Sequence, residues 1–269
     1  MDVLKNRCIR YSQPDAFNDP FEIKPFISKL ASEEAVQTQI QEALPGAVQQ
    51  KFASIPAQLR NTISFEEFNR VSKQFVEDNM SHVDELFAII TQTMRLQLSD
   101  TLAKVVGILS LTETPDNLLM WAHYASSHEG FVIGFDENHS YFNERRGPND
   151  EFHYLRKVEY RKQRPNAPMI ELTGTELFLV KSEQWSYENE WRILRPLHDA
   201  NQTVNAGPLP IHLFSFPTEI IREIILGCRM SENIKNQLIQ MVHSDELYRD
   251  VKILHAKPDE KEFRLIIEA

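Results

Sequence analysis

The densest concentration of chemically capable side chains in the 269-residue sequence lies between Lys181 and Arg192, in KSEQWSYENEWR. If the chain enters a strand near Tyr187, alternation puts Glu188, Glu190 and Arg192 on one face and Tyr187, Trp191 and Ile193 on the other. Two carboxylates flanking a guanidinium admit two readings. They form a structural ion-pair ladder on a solvated sheet face, or one of them is a catalytic acid held in place by Arg192. Lys181 and Trp185, just upstream, could contact a phosphate and a flat ring.

A second group lies in TETPDNLLMWAHYASSHEG. Laid out at about 100° per residue from Pro115 to His128, this helix gathers Leu118, Ala122 and Ala125 on its buried side. His123 then lies on one flank, with Trp121, Tyr124 and His128 on the other, so His123 and Tyr124 share a cleft only over the outward face. A buried histidine bonded to backbone is the competing reading of His123. The third group is Phe17-Asn18-Asp19-Pro20-Phe21-Glu22. Asn18 and Asp19 before a proline fit a turn in which side chains bond the local backbone, with Phe17 and Phe21 anchoring it. Glu22 points into a cleft or sits exposed beside the turn.

Elements must position these groups. Cys8 to Tyr11 reads as a short strand, followed by turn formers. From Ser32 to about Asp100 the pattern is helical. Ser32 caps a helix that Pro45 and Gly46 end, while Ser64 and Asp84 precede two more apolar runs at helical spacing. Val105 to Leu111 reads as a buried strand. Thr114 caps the helix carrying His123, and Gly130 stops it. FVIGFD, Lys157 to Tyr160, Trp191 to Arg195, Glu223 to Leu226, Val251 to His255 and Phe263 to Ile267 read as strands, with a helix from Ser231 through Val242. Irregular alternation of strands and helices points to an α+β fold: one mixed-sheet domain over residues 1–269, with a helical insertion at 28–104. Phe17, Phe21, Leu118, Ala122, Phe131, Ile133, Phe135 and Ile225 are its expected core.

Composition narrows the function classes. The net charge of −10, from 39 acidic and 29 basic residues, repels phosphate backbones and disfavours bulk nucleic-acid binding. Arg145 to Arg164 runs the other way, either as solvated surface or as a patch for a phosphate-bearing ligand. Cys8 and Cys228 lack CxxC spacing, and His123 and His128 are not an i, i+4 pair, so no metal site is expected. No leader or membrane-length apolar run stands in the sequence, which fits a cytoplasmic protein.

Taken in order, FNDPFE, MWAHYA, HEGFVIGFD, KSEQWSYENEWR and IILG resemble the signature segments of the bacterial family called domain of unknown function 2971. Members of that family usually begin with a further strand, rich in Tyr and basic residues, which the sequence ahead of Val3 does not contain. The arrangement is also similar to that of the ADP-ribosyltransferases, which split the nicotinamide bond of NAD. That similarity implies NAD as substrate and names no certain cofactor. It assigns Glu190, or else Glu188, as the carboxylate that bonds the ribose and stabilises an oxocarbenium-like transition state, with His123 beside them. Tyr124 or Trp121 would stack on nicotinamide, with Lys181, Trp185, Arg192, Asn18, Asp19 and Glu22 completing the ligand site. The alternative is a non-catalytic module of a defence or toxin-like system that binds a nucleotide ligand or a protein partner. A metal-dependent nuclease fits least, because the carboxylates and histidines lack metal spacing.

Overall fold

The computed structural model describes residues 1–269, and its class is α+β. The chain divides into two compact units. The first comprises Met1–Ile23, Thr101–Arg164 and Phe178–Ala269; the second comprises Lys24–Asp100 and Pro165–Leu177.

In the first unit, α1 (Asp2–Asn6) leads into β1 (Cys8–Tyr11). In the second, α2 (Glu33–Ala53), α3 (Ala57–Arg60) and α4 (Phe65–Asp78) follow, and α5 runs from Met80 to Val105. Ser32 and Ser64 cap α2 and α4 as expected, accepting from the amides of Ala35 and Glu67. Pro45 does not end α2, which continues for two further turns past it. A proline removes one intrahelical bond, and here the helix carries on to bury Val48. Likewise α5 begins before Asp84 and absorbs Val105, so the following strand, β2, starts at Val106 and ends at Thr112. Phe52 of α2 packs against Phe65 and Phe68 of α4, with ring centroids 5.3 and 5.4 Å apart.

The rest of the first unit is a set of small sheets. After α6 (Leu118–Tyr124) come β3 (Phe131–Phe135), β4 (Arg156–Lys157) and β5 (Glu159–Arg161), then, past the short helix α7 (Gly174–Phe178) that lies almost wholly in the second unit, β6 (Val180–Ser182) and β7 (Glu190–Pro196). Then follow β8 (Gln202–Val204), β9 (Ile211–Ser215), β10 (Ile221–Leu226), α8 (Glu232–Ser244), β11 (Lys252–Pro258) and β12 (Leu265–Glu268). The orders are β1-β9-β8, β12-β11-β10-β3, β2-β7-β4 and β5-β6. Ser12 and Ile108 exchange amide bonds of 2.8 and 2.9 Å, stitching the end of β1 to β2.

β10 is buried on both faces, because alternate side chains serve different cores. Ile224 and Leu226 join Leu238 and Val242 of α8 together with Phe142, Phe216 and Tyr248. Ile225 faces the other way, onto Trp121, Ala125, Ala256 and Leu265. Each such buried aliphatic contributes roughly 1.5–3 kcal/mol.

Part of the expected core lies elsewhere. Ile225 is buried; Phe17, Phe131, Ile133 and Phe135 are partly buried; Ala122, Leu118 and Phe21 are exposed, Phe21 by 60%. At α6 both the start and the buried face differ from expectation. Asn117, not Thr114, accepts from the amides of Leu119 and Met120, at 2.9 and 3.2 Å. The helix is therefore short, and it turns Trp121 and Ala125 inward. It ends where Ser126, Ser127 and His128 all take left-handed backbone angles.

Gly227 explains how that turn meets the sheet. Its amide donates to the carbonyl of Gly130 at 2.9 Å, and a Cβ there would stand 2.2 Å from the carbonyl oxygen of His128. The obstruction is backbone on both sides, so no rotamer relieves it. Gly227→Ala is expected to destabilise the fold by about 1–3 kcal/mol, read as a lower urea midpoint; an unchanged midpoint would contradict this packing.

Candidate functional site

Three separate stretches of chain deliver charged side chains to one place in the first unit. The loop from Phe17 to Ile23 turns on Asp19, whose Oδ1 accepts from the amide of Phe21 at 2.9 Å and whose carbonyl accepts from the amide of Glu22. The turn aims Phe21 outward and Glu22 inward, where Glu22 is 2% exposed. β6 supplies Lys181. A 3-10 turn over Glu183–Glu188 and then β7 supply Glu188, Glu190 and Arg192.

Glu188 is not in the strand, contrary to expectation. Asn189 takes a left-handed conformation (φ 43°) between the 3-10 turn and β7. That corner brings Glu188 and Glu190 to the same ammonium group. Lys181 Nζ donates to Glu188 Oε2 and, at 2.8 Å, to Glu190 Oε2, and stands 3.8 Å from Glu22. Arg192 is fully buried. Its Nε donates to Glu190 Oε1 at 2.7 Å, its Nη1 to the carbonyl of Phe178 at 2.6 Å, and its Nη2 to Glu22 and to Glu190 Oε2. The Phe17 ring lies 5.6 Å from its guanidinium carbon, and the Trp185 ring 5.3 Å from Lys181 Nζ.

The charged face of β7 is thus a sealed ionic cluster rather than a solvated ladder, with Glu188 and Glu190 each 3% exposed. Taking such charges out of water costs several kcal/mol per ion, so the cluster persists only because partners converge on it. Its charges do not balance: Glu22, Glu188 and Glu190 face Lys181 and Arg192. Glu22 Oε2 has no hydrogen-bond partner. Burial raises the Glu190 carboxyl above its ordinary range, with Lys181 and Ser110 pulling the other way. Burial alone would lower Lys181, but Glu190 and Glu188 outweigh it and hold the ammonium charged above its ordinary 10.5. Burial pulls Arg192 down to about 9 against the opposing charge of Asp19, so the guanidinium stays charged at neutral pH.

A cleft of about 1230 Å³ opens over this cluster, lined at the charged end by Asn18, Ser110, Tyr124, Lys181, Glu188 and Glu190. Tyr124 donates to Glu188 Oε1 at 2.7 Å and is half-exposed. Burial, then the bond to Glu188, pushes its hydroxyl up to about 12, while a bond from Asn18 acts in the opposite sense. Asn117 fixes the distance between helix and turn, because the side chain that caps α6 also donates to the carbonyl of Tyr187 at 3.1 Å.

Of the residues singled out from sequence, Glu22, Lys181, Glu188, Glu190, Arg192, Tyr124, Asn18 and Trp185 converge here. Asp19 serves the turn instead. Trp121 is a core residue, 1% exposed, with its Nε1 donating to the carbonyl of Pro115 and its ring stacked on His128. His123 is exposed, with its ring edge-on to that of Tyr124 and outside the cleft lining. Tyr160, whose hydroxyl accepts from the Glu190 amide at 2.8 Å, and Ser110 were not foreseen. Asn117 was legible as a preferred cap lying two residues after a proline.

Lys181→Met should test the cluster. Removing one partner of a buried ionic group costs about 3–5 kcal/mol. Without the lysine that pulls against burial, the Glu190 carboxyl would stand further above its ordinary range, and a group raised on folding loses stability as pH rises from the unfolded value. Urea melts should therefore show a large deficit at pH 7 that narrows at pH 5. A deficit independent of pH would mean that charge is not what the lysine contributes.

A family model described as Protein of unknown function (DUF2971) matches residues 120–193. No curated protein and no solved structure matches the chain. The matched residues run from α6 to β7 and include Tyr124, Lys181, Glu188, Glu190 and Arg192. It is over these site-bearing elements that the chain resembles the family described as Protein of unknown function (DUF2971).

Proposed function

We propose that the chain is a ligand-binding module whose cleft takes a neutral or cationic small molecule, with Tyr124, Asn18 and Glu188 at its polar end. One observation carries this reading. The charged side chains lining the cleft are Glu113, Glu137, Glu188, Glu190 and Glu223 against Arg10 and Lys181. Lys181 is already committed to the carboxylates beneath it. A pyrophosphate entering such a cleft would meet an excess of negative charge at low local dielectric, where repulsion is stronger than in water. Hydroxyl and amine groups would instead find acceptors in Glu188 and in the hydroxyl of Tyr124. The apolar walls, among them Ile108, Leu111, Val132 and Ile133, suit a flat or aliphatic body.

A second reading, cleavage of NAD in the manner of ADP-ribosyltransferases, draws support from Glu188. This carboxylate borders the cleft beside a half-exposed tyrosine. Both oxygens of each carboxylate are held, but Glu190 suits that chemistry less well, because its partners Lys181 and Arg192 are buried whereas Glu188 Oε1 is held by the half-exposed Tyr124.

Nicotinamide riboside and NAD separate the two readings, since they share the nicotinamide ring and ribose, and NAD adds a pyrophosphate and an adenosine. Thermal shifts at equal concentrations should show nicotinamide riboside stabilising the protein more than NAD, and Glu188→Gln should lower its affinity tenfold or more, about 1.4 kcal/mol. Tighter binding of NAD, or release of nicotinamide by the wild type that Glu188→Gln abolishes, would displace the binding-module reading in favour of the enzyme.

A further inference from the structure

The helices of the second unit bury very little of their own apolar surface. Only Val48 is buried in the 21 residues of α2, none in the 14 of α4, and only Thr91 in the 26 of α5. Helices in water owe most of their stability to a packed apolar face, so a helix as long as α5 with one buried residue has a face still to be covered. That face is regular. His82, Leu86, Ile89, Thr93, Leu96 and Asp100 succeed one another at alternating steps of four and three residues. This is the a/d spacing of a coiled coil, with apolar residues at its three positions Leu86, Ile89 and Leu96 and polar ones at His82, Thr93 and Asp100. All six are exposed, Leu86 by 59%, Ile89 by 64% and Leu96 by 63%.

We propose that this seam of α5 pairs with the same seam of a second copy of the chain, antiparallel, about a twofold axis at Thr91. The sequence is self-complementary in that arrangement alone. Antiparallel packing sets each a position against a d position of the other copy, which puts Leu86 against Leu96, Ile89 against Thr93 and His82 against Asp100. Ile90, 42% exposed beside the seam, meets its own counterpart. A parallel pair would stack like on like, Asp100 on Asp100 and Thr93 on Thr93, and like charges in register destabilise. The antiparallel pair instead places an imidazole opposite a carboxylate at each end. An isologous contact of this kind closes as a dimer and leaves no surface to propagate. The seam is about 28 Å long at 1.5 Å per residue.

Light scattering on the full chain, at roughly 100 µM and so well above a micromolar Kd, should give twice the 31.3 kDa of one chain. The double variant Leu86→Glu/Leu96→Glu should give the single-chain mass. Because both leucines are exposed on one chain, the urea transition of the first unit should persist in that variant. Register is tested in a background of Cys8→Ser and Cys228→Ser. Chains carrying Leu86→Cys should form disulfides with chains carrying Leu96→Cys and not among themselves, since cysteine Cα atoms more than about 7 Å apart cannot be bridged. A monomeric wild type, a dimer that survives the double variant, or disulfides between two Leu86→Cys chains would each overturn the proposal.

Discussion

A guanidinium with no access to water must have its charge answered by the protein, and the placement of Arg192 imposes that condition on much of the first unit. Its donors require Glu190 on the same strand, Glu22 from a loop near the N-terminus and a carbonyl at Phe178. Satisfying it introduces more carboxylate than one cation can balance. Lys181 then becomes as necessary as the acids, because Glu188 and Glu190 would otherwise repel each other across a few ångströms of low dielectric. The corner at Asn189, the turn at Asp19 and the double role of Asn117 all serve to keep these groups in register. A buried ionic cluster adds little net stability compared with an apolar core. Its contribution is to fix where three strands of backbone must lie, and with them one end of the cleft.

Local chemistry was legible in the sequence and distance was not. The α+β class, the serine caps of α2 and α4 and the strand over Ile108 follow from periodicity and capping, which act within a few residues. Lys181, Glu188, Glu190 and Arg192 stood out for the same reason, being close along the chain. Alternation assigned Glu190 and Arg192 to one face but could not say whether that face met water, because burial is decided by whatever packs above it. The answer lay in Glu22, 170 residues away from its partner Arg192. Errors at α6 came from competition between two acceptable caps, Thr114 and Asn117. The helix that starts at the second is short, and packing on Ile225, Ala256 and Leu265 puts Trp121 and Ala125 inside in place of Leu118 and Ala122.

The two units pose different physical problems. The first folds around sheets whose alternate faces feed different cores, and its polar cluster has hydrogen bonds for nearly every buried atom. The second consists of helices with strong caps and few buried side chains. Its apolar residues fall on more than one side, so that Val71 and Phe75 of α4 and Leu86, Ile89 and Leu96 of α5 face water.

The pairing of β1 with β9 carries a consequence for the order of events during synthesis. Residues 8–11 find their ladder partners at 212–215, so β1 waits for some two hundred further residues before it can pair. Glu22 waits nearly as long for its guanidinium. The helices between Glu33 and Val105, by contrast, find partners nearer along the chain, as Phe52 of α2 does in Phe65 and Phe68 of α4. At a few to some tens of residues per second, the nascent chain spends many seconds with an unpaired strand and an unanswered acid ahead of a partly structured helical segment. Mutations that slow the closing of β1 onto β9 would thus act on yield rather than on the finished protein's stability.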